Sequence, residues 1–216
     1  ITEGALIMLN KLVLQIFLLL LLFPSATAVE ISQILYDPLN SDTGGEAIEL
    51  YNPSDDDIDI SSRMIATSVS DQDVTFPKNT FIVAKSYFLV ADVGWNTTKQ
   101  SGWRNADYEE TMTLPNADSG IALKNKNGTI IDAVGWGNVS KEGLYRGIPA
   151  VEVGEGFSLL RVSSTNNNFG DFVASIPKFD SPQQVVVELE VLSPSVVIKK
   201  FEILDDDSNL SGTQIL

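Results

Sequence analysis

The chain of 216 residues contains no cysteine and no histidine. Without Cys there is no disulfide framework, no thiol nucleophile and no thiolate zinc site. Without His there is no Ser-His-Asp triad, no imidazole general base and no His-ligated metal. Positive charge is scarce as well: 14 Lys and Arg stand against 29 Asp and Glu, for a formal net charge of -15. Binding to duplex DNA or RNA relies on clustered Lys and Arg that displace counterions, so no direct nucleic-acid binding is expected. A sustained 3.6-residue apolar period is also missing after residue 28.

What is present reads as a folded chain. Hydrophobic residues make up 44% and charged residues 20%, a balance that favours a packed core over disorder. The length allows one large or two small domains. Met8 and Lys11 precede an apolar run from Leu12 to Phe23, interrupted by Gln15, and Ala26-Thr27-Ala28 follows. A basic start, a short apolar stretch and a small-x-small site form a secretory signal. The run is shorter than the roughly 20 residues a membrane span needs. Cleavage between Ala28 and Val29 is therefore predicted, with residues 1–28 as the signal peptide.

From Val29 the pattern is short strands broken by turn residues. Strands are predicted at Ile31–Tyr36, Glu46–Tyr51, Ile58–Ile60, Met64–Val69, Phe81–Ala91, Ile121–Leu123 and Ile130–Trp136. Phe81–Ala91 is apolar on both faces except for Lys85 and Ser86 and reads as one strand near the centre of the sandwich. Asn127-Gly128 predicts a two-residue type I′ turn with positive φ at both positions. Trp95, Trp103 and Tyr108 lie among polar residues of 94–116, which reads as a loop with aromatic anchors. Turn clusters at such spacing indicate an all-β sandwich over 29–183. A further pair of strands in 184–216, split at Ser193-Pro194-Ser195, reads as a linker and the start of a truncated second β domain.

The ordered motifs resemble the lamin tail domain family. Ile34-Leu35-Tyr36-Asp37-Pro38, Glu46-Ala47-Ile48-Glu49-Leu50-Tyr51-Asn52-Pro53 and Asp57-Ile58-Asp59-Ile60-Ser61 are similar to its opening strands. Phe76-Pro77-Lys78-Asn79-Thr80 with Tyr87-Phe88-Leu89-Val90-Ala91 resembles its next pair. Ile121–Val134 resembles its Asn-Gly hairpin, and Ser158-Leu159-Leu160-Arg161, Phe172 and Ser181-Pro182 its C-terminal part. Ser62-Arg63 stands where the family usually has Gly-Trp. The resemblance implies an immunoglobulin-like β-sandwich of the secreted prokaryotic (archaeal or bacterial) type, a non-catalytic module often joined to other surface or hydrolase domains.

Candidate sites are few. Asp55, Asp57 and Asp59 form an oxygen-rich stretch that is a weak candidate for Ca²⁺, with a solvated turn as the plainer reading. Asp205-Asp206-Asp207 lacks the Gly and flanking helices of a helix-loop-helix calcium loop. Glu46 with Glu49, and Glu109 with Glu110, are the carboxylate pairs to weigh for glycoside hydrolysis, against surface charge that keeps the domain soluble. Asp132 reads as a hydrogen-bonding residue at a strand edge. Trp95, Trp103 and Trp136 read as core or loop anchors before a sugar-stacking platform. Asn96, Asn127, Asn138 and Asn209 begin N-glycosylation acceptor motifs.

The expectation is thus an extracellular or cell-surface module with no enzymatic activity and no cofactor, in an adhesion, scaffolding or ligand-binding role. Its partners would be other surface proteins or surface polymers, with membrane association only through export or a C-terminal anchor. The alternative is an accessory domain of an extracellular hydrolase, binding carbohydrate or nucleic acid.

Overall fold

A computed structural model describes residues 28–179 and the backbone of 184–192 and 195–204. Most of the predicted signal peptide, Asp205-Asp206-Asp207 and Asn209 lie outside the described residues. The strands run β1 (Glu30–Leu35), β2 (Ala47–Tyr51), β3 (Ile58–Asp59), β4 (Met64–Thr67), β5 (Val74–Thr75), β6 (Phe81–Ile82) and β7 (Tyr87–Ala91). After the one-turn helix α1 (Trp95–Thr98) come β8 (Tyr108–Glu109), β9 (Gly120–Lys124), β10 (Ile130–Gly135) and β11 (Ser158–Arg161). A second short helix, α2 (Asn168–Asp171), leads directly into β12 (Phe172–Ser175).

These strands make an immunoglobulin-like sandwich. One sheet has six strands in the order β12-β11-β1-β2-β7-β8, and the facing sheet has four, β10-β9-β4-β5. β3 and β6 form a small pair beside them. Ile31, Ile34, Ile48, Leu50 and Val90 of the first sheet meet Ile65, Ile121, Leu123 and Val134 of the second in one continuous core. Each such side chain contributes about 1.5–3 kcal/mol by leaving water. Tyr36 stacks on Trp136 at 4.4 Å within that core, and its hydroxyl both donates to Val153 O and accepts from Val153 N–H. Burial pushes the Tyr36 hydroxyl up to about 12, against the opposing hydrogen bond to Val153.

β1, β2 and β7 carry apolar residues on both faces because both are covered. On the outer face Leu35, Ala47, Leu89 and Ala91 pack under Trp95 and Phe179, with Trp103 half-buried beside them. The 94–107 segment and the stretch after β12 that carries Phe179 thus form a third layer on the six-stranded sheet. This explains why Tyr87–Ala91 has no polar stripe.

Two predicted features differ. Phe81–Ala91 is not one strand: it divides into β6 and β7 at a turn where Ser86 N–H donates to Val83 O and Lys85 adopts φ 55°. The 121–136 hairpin turns at 126–128, but not as type I′. Gly128 N–H donates to Asn125 O and Asn125 N–H to Thr129 O, both 2.9 Å, and Gly128 at φ 87° is the hairpin-loop residue with positive φ. That is a three-residue loop, a type I turn closed by a left-handed glycine. Asn125 and Asn127 side chains accept N–H groups inside the loop, which stabilises this turn over the two-residue form.

β13 (Gln184–Leu192) and β14 (Ser195–Leu204) pair with each other antiparallel, with a bulge between Glu188 and Leu189.

Candidate functional site

The segment between β8 and β9 has no strand partner, so its buried N–H groups need acceptors. Carboxylates from three separate places supply them. Met112 N–H donates to Asp92 (3.2 Å), Thr113 N–H to Asp73 (2.8 Å) and Leu114 N–H to Glu46 (3.1 Å to either oxygen). Asp92 also accepts from Gly44 N–H at 2.6 Å, closing the loop before β2 onto the same cluster. Glu46 is 3% exposed. Burial pushes its carboxyl up to about 8, with the Leu114 hydrogen bond opposing and Asp42, Asp92 and Asp73 adding to the rise. Asp73 is raised for the same first reason, burial.

The weighed carboxylate pairs do not assemble as an acid and a nucleophile. Glu46 faces Leu114, whereas Glu49 is bonded to the Ser32 hydroxyl at 3.0 Å and lies 4.0 Å from Arg104. Both are buried, so the solubility reading fails for these two. Glu109 accepts the backbone and side-chain amides of Asn96, and Glu110 accepts Thr75 N–H and the Tyr108 hydroxyl.

Asp132, paired with Leu123, directly follows a bulge of β10 at Ile131, the extra residue after the Ile130–Lys124 pair. Its carboxylate meets Arg161 of β11 at 2.5 Å and accepts Ile31 N–H at 2.8 Å. Arg161 Nε donates to Ile31 O, and the guanidinium lies 4.5 Å over the Phe172 ring. The strand-edge aspartate is therefore an inter-sheet staple joining β10 to β1 and β11. Asp171, which the sequence reading passed over, is fully buried and accepts Ser163 and Thr165 hydroxyls and the N–H groups of Thr165 and Asn167. Burial alone would raise it, but these donors outweigh burial and hold it below the ordinary carboxylate range. The Ser/Thr/Asn run before it was the available signal.

The calcium candidates are engaged separately: Asp55 and Asp57 lie in the connection leading into β3, and Asp59 is its last residue. Asp55 pairs with Lys85 at 3.2 Å, Asp57 accepts Ala84 N–H and Asp59 accepts Ser61 N–H. Among the described residues no group of three or more acidic side chains is gathered as a metal site. Asn96, Asn127 and Asn138 are exposed. Asn96 and Asn138 donate their side-chain amides to Glu109 and Asp118, while Asn127 stands at the hairpin tip.

Trp95 and Trp136 are fully buried and present no open platform. Trp95 stacks on Trp103 at 5.3 Å, and Phe179 meets both edge-on. A cavity of about 140 Å³ opens beside this pair, walled by Pro38, Leu39 and Pro177 with Asn40, Thr43 and Gln100 among its polar lining.

Residues 24–138 match the family model of the Lamin Tail Domain. The chain belongs to the lamin tail domain family. The match takes in β1 to β10, whereas β11 and β12 of the same sheet lie beyond it. No curated protein and no solved structure matches the chain. Within this lamin-tail sandwich, Ser62 adopts φ 60°, a left-handed conformation that only Gly takes up at no steric cost.

Proposed function

We propose that this lamin-tail sandwich is an exported, non-catalytic module of a cell-surface protein, serving adhesion or scaffolding. The observation that carries this reading is how the acidic side chains are used. Glu46, Asp73, Asp92, Asp132 and Asp171 each hold backbone amides, hydroxyls or a guanidinium in place. An acid–base pair aimed at a common substrate position would be required for hydrolysis, and these groups are aimed at the protein itself. The β1 strand also begins at Glu30, one residue past the small-x-small site, with Ala28 exposed and Val29 buried, which suits processing between Ala28 and Val29. Fractionation of the source cells tests the reading. The chain should be found in the exterior fraction, and its confinement to the cytoplasm would overturn it.

The cavity beside Trp95 and Trp103 supports a second reading, an accessory domain that binds carbohydrate. The half-buried Trp103 ring and the side-chain amides of Asn40 and Gln100 suit a sugar ring. Glycan-array binding that is lost in Trp103→Ala favours this reading, and no glycan binding contradicts it.

A further inference from the structure

The two ends of the six-stranded sheet differ. At one end β8 is a two-residue strand. At the other, β12 (Phe-Val-Ala-Ser) has none of the usual guards of a sheet edge: no Lys, no Pro and no bulge within it. Its register with β11 pairs Arg161 with Phe172, Leu160 with Val173 and Leu159 with Ala174. Val162 N–H donates to Asp171 O, while Phe172 N–H turns to Asn168 O. Antiparallel ladders alternate between bonded and non-bonded pairs. The Leu160–Val173 pair is therefore bonded, and the N–H and C=O of Ala174 point to the side on which no strand of the described residues lies.

Alongside that open edge runs an apolar groove of about 430 Å³. Val151, Val153, Phe157, Phe172 and Val173 form its walls, and its lining holds one charge, Glu152, with no Lys or Arg. Val151 is 64% exposed, Phe157 47% and Val173 44%. Glu155 follows in the same loop. Both glutamates act on Asp37, whose carboxyl is raised by burial first and then by Asp42, Glu155 and Glu152. The neighbourhood of the groove is electronegative.

We propose that the β12 edge is a docking site for an extended segment of another protein, added as a further antiparallel strand, with apolar residues in the groove and Lys or Arg flanking them. The open backbone groups of Ala174 supply the main-chain hydrogen bonds. The groove takes one side-chain row, since alternate residues of a strand share a face. The acidic rim selects a basic partner and sets a salt dependence. This inference stands apart from the export reading, because it depends only on the edge and the groove.

The test is fluorescence anisotropy of the full chain with a labelled peptide, Lys-Val-Thr-Val-Thr-Val-Lys. Saturable binding that weakens with salt is expected, and the same peptide with Glu in place of Lys should bind at least about tenfold less tightly. Ala174→Pro removes the outward donor without touching the β11 ladder, a position where an edge Pro is tolerated. It should keep the wild-type melting temperature and abolish binding. A peptide N-methylated at its central Val repeats the test without altering the protein, and it too should not bind. Absence of saturable binding overturns the proposal. So does equal binding of the acidic peptide, or binding that survives Ala174→Pro and N-methylation alike. A dimer seen by sedimentation that Ala174→Pro dissolves would assign the edge to a second copy and would likewise overturn it.

Discussion

Single residues of this sandwich carry loads that their chemical type does not announce. Glu46 looks like any surface glutamate, yet it closes the 112–114 segment from inside. Its folded-state pKa is raised to about 8, above the ordinary carboxylate value it has when unfolded, so the folded state favours the protonated form. The stability it contributes is fully present below the unfolded pKa and is lost as pH rises toward 8. The melting temperature should fall between pH 5 and 8.5, and Glu46→Gln should flatten that fall, as scanning calorimetry at a series of pH values will read. An unchanged slope in the variant would refute the buried clamp. Ser62 offers a second case. Placing a side chain at φ 60° costs roughly 1 kcal/mol, so Ser62→Gly should stabilise by about 0.5 kcal/mol once the added freedom of the unfolded chain is counted. Chemical denaturation measures this, and destabilisation would contradict it. The Gly-Trp position of the motif marked the place; the strain appears only in the folded backbone.

At the level of elements, the strands were legible wherever an apolar alternation ended in a turn residue. β1, β2, β4, β9 and β10 lie where the pattern puts them. β6 and β7 were not separated, because Val83 and Ala84 continue the apolar run and the polar pair Lys85-Ser86 was taken as an interruption within one strand, whereas Lys85 turns left-handed there. The hairpin was legible in place but not in turn type, since the Asn125 and Asn127 side chains select the three-residue loop. Asn127 is the second central residue of its type I turn, where Pro would force Lys126 out of its helical conformation. Asn127→Pro should therefore destabilise the fold by about 1–2 kcal/mol, read as a lower melting temperature. Asp132 was visible as a strand-edge acid, but its partner Arg161 lies 29 residues further on and meets it only across the sheets. Breaking this largely buried pair with Asp132→Ala should cost about 3 kcal/mol in urea unfolding, and a loss below about 0.5 kcal/mol would show that the staple is idle.

Across the whole molecule, an acidic chain without His or Cys has turned much of its carboxylate inventory into scaffold. The sandwich class followed from turn spacing and ordered motifs. The third layer over β1, β2 and β7 did not, because Trp95, Trp103 and Phe179 are joined only in space. The proposed role requires that this scaffold be delivered outside the cell, with β1 opening the mature chain. N-terminal sequencing of the chain recovered from the source cells tests that most directly. The expected result is a single N-terminus at Val29. A chain that still carries Leu12–Phe23, or one that begins within β1 or beyond it, would contradict the proposal.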